Sequence, residues 1–256
     1  MYRSYLRMPF SPDPPTGPAE EELHSFAPLE QRAAKDALQT AVAAWEQVVR
    51  ITVQRILTRH LFVGADKGPD PAWPLHLASR EPKFRPGIEL DLTGAVLLNF
   101  EFTGRRGENA TFDSCRFVGG ANFAHCEFIQ HVYFKDARFE RGAGHFLGAW
   151  FGLRAVFHGT DFGEKPAVFD GATFTGMTFF QEIALRSASF NAARALVDFD
   201  ENWGSVRHWP SGWRERALEP GDSMPLLPEK LSRWPASNLP PGCGAWNVLV
   251  AESQGP

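Results

Sequence analysis

Large apolar residues, most of them phenylalanines, recur every five or six positions from Leu92 to Phe190. A small residue, usually alanine, stands two positions before most of them, so the repeating unit reads A-x-F-x-x. This period fits neither an α-helix, which repeats about every 3.6 residues, nor a long strand, which alternates about every two. It fits a chain that turns by roughly 90° after each short strand and points the large and the small residue of every unit inward. Only Gly107 breaks the series.

Four such units close one coil of about 22 residues, and successive coils can stack at the roughly 4.8 Å spacing of hydrogen-bonded strands. The distribution of proline supports this interpretation, because 19 of the 20 prolines lie outside residues 87–200 and only Pro166 lies inside. Proline cannot donate a hydrogen bond to a strand ladder, so stacked coils exclude it. The sequence therefore predicts a four-sided β-solenoid of about five coils over residues 87–200. The alternative is a phenylalanine-rich β-sandwich.

The register of the repeat assigns the inward residues to four columns, one for each side of the coil. The first column holds Phe112, Phe134, Phe157 and Phe179; the second holds Phe117, Phe139, Phe162 and Leu185; the third holds Phe123, Phe146, Phe169 and Phe190; the fourth holds Phe128, Phe151 and Phe174. Each buried ring contributes about 1.5–3 kcal/mol to folding. Cys115 and Cys126 take small inward positions on opposite sides, where we expect them to fill the core.

The units resemble those of the pentapeptide-repeat proteins, which read A(D/N)(L/F)xx. The resemblance covers residues 88–199 and implies the known fold of that family, a right-handed quadrilateral β-helix. The units depart from the family pattern in their preference for phenylalanine, at Gly107, and in an extra residue at about every second corner. Flanking segments such as Tyr5-Leu6-Arg7-Met8-Pro9 are similar to those of an actinobacterial subgroup, which implies a chain shortened at its N-terminus or a fragment of a longer membrane-associated relative.

Outside the repeat, the sequence divides into four segments. Residues 1–27 are predicted to be irregular, residues 64–86 to be a proline-rich connector, and residues 28–63 to form an amphipathic helix that caps the open edge of the first coil. A partner-binding or dimerising helix is the alternative. The apolar residues of this helix recur at three and four positions, namely Leu38, Val42, Trp45, Val49, Val53 and Ile56. Residues 201–256 hold five of the eight tryptophans and are predicted to dock, in an irregular conformation, against the second end or a side of the solenoid.

Sequence signatures of catalysis and of metal or cofactor binding are missing. The chain contains no G-x-S-x-G, no phosphate-binding G-x-x-x-x-G-K, no H-E-x-x-H and no C-x-x-C. His125 and His145 are predicted on the third side in adjacent coils, but no third ligand accompanies them in the same ladder. We therefore expect no enzymatic activity, no cofactor and no metal site.

Four large apolar or aromatic residues fall at outward positions of the predicted solenoid. Ile129 and Trp150 lie on the fourth side in adjacent coils, Leu147 lies just before the corner that precedes this side, and Tyr133 lies on another side. Contiguous apolar residues on an outer wall mark contact surfaces. We expect Ile129, Leu147 and Trp150 to form one docking surface, for the protein's own helix or C-terminal segment or for a partner. Tyr133 is assigned to the same interaction surface.

These features favour a non-enzymatic interaction or scaffold module that presents a wall to a protein partner of unknown identity. The resemblance also implies an alternative, because some pentapeptide-repeat proteins imitate duplex DNA and bind DNA gyrase. Residues 87–200 carry 14 acidic and 10 basic side chains, a net charge of −4. Duplex DNA as long as five coils, roughly 24 Å, carries on the order of 14 phosphate charges. This difference argues against DNA mimicry, and the absence of a net positive charge argues against binding nucleic acid.

A membrane-associated regulator is a third class of function that the longer relatives imply. The sequence has no stretch of about 18 uncharged apolar residues, so any contact with a membrane would be indirect, through a partner. Three cysteines cannot form a disulfide framework in a chain of 256 residues, and the expected location is a reducing cytoplasm. The oligomeric state is left open.

Overall fold

The computed structural model describes residues 6–8, 10, 29–59, 89–197, 206–219 and 246–252. Residues 89–197 wind into a four-sided β-solenoid of about five coils, which confirms the predicted mainly β fold. Within the described residues, the elements are helix α1 (Leu29–Arg59) and the strands β1 (Glu89–Asp91), β2 (Val96–Glu101), β3 (Arg106–Thr111), β4 (Arg116–Asn122), β5 (Glu127–Tyr133), β6 (Arg138–Glu140), β7 (Gly144–His145), β8 (Trp150–Phe151), β9 (Arg154–Val156), β10 (Ala167–Val168), β11 (Thr173–Phe174), β12 (Met177–Phe179), β13 (Ala188–Ser189), β14 (Arg194–Leu196), β15 (Arg207–His208), β16 (Trp213–Ala217) and β17 (Trp246–Ala251).

Each side of the solenoid is a parallel ladder of strands from successive coils. Side 1 contains β1, β3, β5, β9, β12 and β15; side 2 contains β2, β4 and β6; side 3 contains β2, β4, β7, β10 and β13; side 4 contains β3, β5, β8, β11 and β14. Strands β2 to β5 bend around a corner and therefore belong to two sides, with a shift of register at the bend. In these coils, the chain therefore enters sides 1 and 3 through a bend within a continuous strand.

The corners after sides 1 and 3 are tight turns that begin at the central inward residue. At the corner that starts with Phe146, its carbonyl accepts a hydrogen bond from Ala149 N at 3.0 Å, and Gly148 between them has φ +59°. A turn of this kind requires a residue with positive φ at its third position, which glycine adopts without steric cost. The extra residues of the repeat fall at the corners after sides 2 and 4, so the alternation of spacing follows from two kinds of corner.

The predicted columns of rings run down the inside of the tube. Consecutive rings in a column have centroids 4.6–5.8 Å apart and are inclined by at most 24°. Rings of neighbouring columns meet edge to face, as Phe123 and Phe134 do at 5.2 Å and 88°. Both arrangements are favourable for aromatic quadrupoles, so each ring is held by its own column and by the adjacent ones.

One position of the predicted register is wrong, at the end of the first column. Phe180 is 3% exposed and stacks on Phe157 at 4.6 Å, whereas Phe179 lies in the outward ladder beside Val156. The reason is the extra residue at the corner after side 4. With it, the interval from Phe157 to the next inward ring, Phe180, is 23 residues. Thr178, 1% exposed, then occupies the small inward position two residues before Phe180.

The gap that Gly107 leaves in the fourth column is filled by a ring from a different side. Phe102 belongs to side 3, but its ring lies parallel to that of Phe128, at 5.9 Å and 6°. Phe100 occupies the small inward position of side 3, opposite Ala121, and packs 5.7 Å from Phe123. Two large residues in the first coil therefore compensate for one missing residue.

Helix α1 covers the first coil with its C-terminal half. Val53 is buried in the core cluster, and Gln54 donates from Nε2 to Leu98 O and accepts from Leu98 N, both at 2.8 Å. The side-chain amide thus pairs with the open edge of β2 as a neighbouring strand would. The predicted apolar stripe is only partly the packing face, because Leu38 and Trp45 are 66% and 71% exposed.

The second end of the solenoid is closed by tryptophans and strands. Trp209 stacks 6.0 Å from Phe180 and continues the first column, and Trp213 lies 5.0 Å from Phe190 at the end of the third. Strand β17 pairs antiparallel with β14 and with β16. The sequence predicts an irregular conformation here, but the described parts of residues 201–256 form strands, because the edge of the last coil offers a template for pairing.

Candidate interaction surface

The outward positions of side 1 form a wall that we call the side-1 wall. Because side chains alternate along a strand, the residues on either side of an inward position point outward. Strand pairing aligns these residues coil above coil in two ladders. The first ladder is Tyr133, Val156, Phe179 and His208, and the second is His131, Arg154 and Met177.

The first ladder is apolar over three successive coils. Tyr133, Val156 and Phe179 are half-buried, and the Phe179 ring stacks 5.8 Å from that of His208. Among residues 89–197, no other outward ladder carries three consecutive large apolar side chains. The comparable apolar patch on side 2, which includes Val96, is already covered by α1. The side-1 wall is therefore the apolar strip that the repeat itself presents.

The second ladder adds polar groups beside this strip. The His131 ring lies 6.2 Å from that of Tyr133, and Arg154 Nη2 donates to Met177 Sδ at 3.9 Å. His131 Nδ1 and Arg154 Nε are buried atoms with no hydrogen-bond partner in the part of the chain that is described. An apolar strip thus adjoins two nitrogens whose hydrogen bonding is not satisfied.

Burial and, to a smaller extent, the positive charge of Arg154 lower the pKa of His131 from its ordinary value. The imidazole is consequently neutral at pH 7, and the charge of this wall comes from Arg154. A ligand with a carboxylate would pair with Arg154 at little desolvation cost, because the guanidinium is already half-buried.

A family model for pentapeptide repeats, in nine copies, matches residues 107–144. These residues run from side 4 of the first coil to side 3 of the third, so the match falls on the stacked units themselves. This chain is a pentapeptide-repeat protein. No curated protein and no solved structure matches it.

The side-1 wall includes one of the four residues that the sequence assigns to the interaction surface of this pentapeptide-repeat protein, Tyr133. Trp150 is 7% exposed, Ile129 is half-buried and Leu147 is 43% exposed. Trp150 pairs in register with Glu127 and Thr173, whereas Ile129 follows the inward ring, so the two lie in different ladders of side 4. Leu147 follows Phe146 on side 3.

The other apolar residues of the wall were not selected from the sequence. The register read from the sequence assigns Phe179 to the core, and it singles out neither Val156 nor Met177. Two signals identify Phe179 as outward. The interval from Phe180 to Leu185 is five residues, as it is at every other corner after side 1, and Thr178 fits the small inward position better than Met177 does.

The two described cysteines of the repeat lie in the core of the solenoid. Burial raises the pKa of the Cys115 thiol to about 12, and Sγ donates to Leu92 O at 2.9 Å, so this thiol is part of the core. Cys126 is also buried. The described residues contain no group of three or more potential metal ligands.

A groove of about 570 Å³ lies at the second end, between Trp209, Trp213 and Arg207. Its polar groups bond one another: Trp209 Nε1 and Asn247 Nδ2 both donate to Glu215, at 2.9 and 2.8 Å. This arrangement closes the solenoid end. Among the described residues, no helix combines the length and the apolar character that a membrane crossing requires.

Proposed function

We propose that this protein is a non-enzymatic interaction module whose side-1 wall binds an apolar protein segment that carries a carboxylate. The observation that carries the proposal is the run of Tyr133, Val156 and Phe179 at outward positions of three successive coils. Strands stacked at about 4.8 Å hold these side chains in a rigid strip, so little conformational entropy is lost on binding. Arg154 lies beside the strip and supplies the polar anchor.

Charge on the other walls favours protein binding over DNA mimicry. On side 2, Arg116 and Arg138 occupy adjacent outward positions, and Arg116 pairs with Glu140 at 2.8 Å. On side 4, Arg106 lies opposite Glu127 in the outward ladder, and the two charged groups are 3.7 Å apart. A surface that replaces DNA needs an unbroken row of negative charge, and arginines interrupt these rows.

The surface of Ile129, Leu147 and Trp150 takes a different role in this proposal. Trp150 points outward and yet is nearly buried, which supports its use as an anchor for the protein's own chain. We assign Leu147 and Ile129 to the margin of that proposed contact. A cytoplasmic location fits the free thiol of Cys115, since oxidising compartments favour disulfides.

Site-specific photocrosslinking in the native cells tests the proposal. A photoreactive residue replaces Val156 on side 1 or, as the matched control, Val168 on side 3, which is also a half-buried valine of an outward ladder. We expect a discrete adduct from position 156, none from position 168, and loss of the adduct when Arg154→Glu is added. Equal adducts from both positions, or none from position 156, would contradict the proposal, as would an adduct that Arg154→Glu leaves unchanged.

A further inference from the structure

Helix α1 carries an exposed apolar stripe on the side that faces away from the solenoid. The described side chains of residues 37–49 include none that is buried, whereas Arg50, Val53, Gln54 and Thr58 are buried. The helix is therefore anchored by its last three turns, and its N-terminal part projects from the first coil. The exposed apolar residues of α1 are Leu38 at 66%, Val42 at 60%, Trp45 at 71%, Val48 at 54% and Ile56 at 40%.

The anchored face holds the helix firmly. Arg50 is fully buried and donates to Leu6 O at 3.2 Å, to Met8 O at 3.0 Å and to Glu46 at 3.0 Å. Its guanidinium also lies 4.5 Å from the centre of the Phe10 ring. The apolar stripe cannot turn toward the solenoid without breaking these contacts, so it stays available to another molecule.

The spacing of the stripe is that of a coiled-coil seam. Residues 38, 42, 45, 49, 52 and 56 follow one another at intervals of four and three, so they correspond to the alternating d and a positions of a heptad. No charged residue interrupts the seam. In an antiparallel pair with its two-fold axis between Ala43 and Ala44, each Val42 meets Trp45 of the other copy, and each Leu38 lies opposite Val49, which the solenoid already covers in part.

We infer that α1 pairs antiparallel with α1 of a second copy of this chain, with Trp45 at the centre of the contact. A seam of this kind is self-complementary, as a two-fold interface requires. Antiparallel pairing overlaps the projecting N-terminal parts and keeps the two solenoids at opposite ends.

The exposed area is sufficient for a specific dimer. The five side chains expose on the order of 500 Å² per copy, so pairing buries about 1,000 Å², the lower bound of specific interfaces. A helix without tertiary support is marginal below about 12–15 residues. Pairing supplies that support to the N-terminal part of α1.

A membrane surface fits this stripe less well than a second copy does. Helices that lie on membranes have polar faces rich in lysine and arginine. The sequence of α1 holds five basic residues against three acidic ones, and one of the basic residues, Arg50, is buried. The electrostatic attraction to anionic lipid would therefore be weak.

Sedimentation equilibrium of the full chain at tens of micromolar tests the inference. Trp45→Glu places a charge in the seam, and Ala44→Glu places the same charge on the neighbouring exposed position outside it. We expect a dimer for the wild type and for Ala44→Glu, and a dissociation constant raised at least about thirtyfold for Trp45→Glu. Circular dichroism checks that both variants are folded.

A monomeric wild type, or a dimer that Trp45→Glu leaves intact, would overturn the inference. Cosedimentation with vesicles of equal parts phosphatidylcholine and phosphatidylglycerol provides a second readout. Binding of a monomeric wild type that Trp45→Glu abolishes would assign the stripe to a membrane instead. Cysteine substitution distinguishes the orientation, because only a parallel pair brings the two copies of Leu38→Cys together, and a disulfide through this position would therefore overturn the antiparallel arrangement.

Discussion

Removing the side chain that closes the first coil should destabilise that coil selectively. Gln54 is 4% exposed, and its amide forms two hydrogen bonds of 2.8 Å with Leu98, on the edge of β2 that has no neighbouring strand among the described residues. Gln54→Leu keeps the volume and removes both bonds. The buried N–H and C=O of Leu98 are then unsatisfied, at about 1–3 kcal/mol each, so we expect a loss of about 2–4 kcal/mol in the stability of the first coil.

The matched control is Gln39→Leu, the same substitution at an exposed position of the same helix. A surface change of this kind should cost no more than about 0.5 kcal/mol. Urea unfolding measures the overall effect, and amide hydrogen exchange measures the local one. Because a solenoid unfolds coil by coil, exchange of the Leu98 amide should accelerate before that of the central coils.

Gln54→Glu adds a test with a definite pH dependence. The carboxylate can accept from Leu98 N but opposes Leu98 O, whereas the protonated carboxyl can form both bonds. The folded state therefore raises the pKa of this glutamate. The stability from the cap should be present below the unfolded pKa of about 4.3 and be lost as the pH rises through the folded pKa. Equal stability of Gln54→Leu and Gln39→Leu, or a Gln54→Glu variant insensitive to pH, would refute this explanation of the cap.

Three further predictions concern the core, a buried outward residue and a surface carboxylate. Gly107→Leu should overpack the first coil, because the Phe102 ring already fills that space. We expect the free energy of unfolding to fall by about 1–3 kcal/mol, which the urea midpoint measures. Trp150→Ala should cost about 3–5 kcal/mol and Leu147→Ala under about 0.5 kcal/mol in the same assay, since only the tryptophan is buried; equal costs would contradict this. Burial opposes ionisation of Asp91, but hydrogen bonds from Thr93 and the contact with Arg7 prevail and lower its pKa to about 2. Its contribution is present above pH 4 and lost as the pH falls toward 2, so the difference in urea midpoint between wild type and Asp91→Asn should shrink over that range.

The period of the sequence predicts most of the fold, because each inward position of the tube accepts a residue of only one size, large and apolar or small. A ring every five or six residues and a small residue two positions earlier determine which side chains point inward. The prediction fails at Phe179 and Phe180, where both neighbours satisfy the apolar requirement and only the spacing to Leu185 distinguishes them. Because of this error, the predicted interaction surface does not include Phe179.

The ends of the solenoid were less predictable, because polar contacts decide them. Hydrophobic periodicity assigns Leu38 and Trp45 of α1 to the packing face, yet the helix is held by Arg50 and Gln54, whose side chains bond backbone groups. A count of apolar residues cannot reveal such contacts. The strands of the C-terminal segment form for a related reason, since the open edge of the last coil imposes pairing on a sequence with few strand signals.

Comparing Phe179→Ala with Phe180→Ala in urea unfolding tests most directly which residues point into the tube. Phe180 lies 4.6 Å from Phe157 and 5.3 Å from Phe169, so its loss should cost about 3–5 kcal/mol. Phe179 contacts the exposed His208, and its loss should cost about 1 kcal/mol or less. A Phe179→Ala variant as unstable as Phe180→Ala would contradict the register, and with it the side-1 wall.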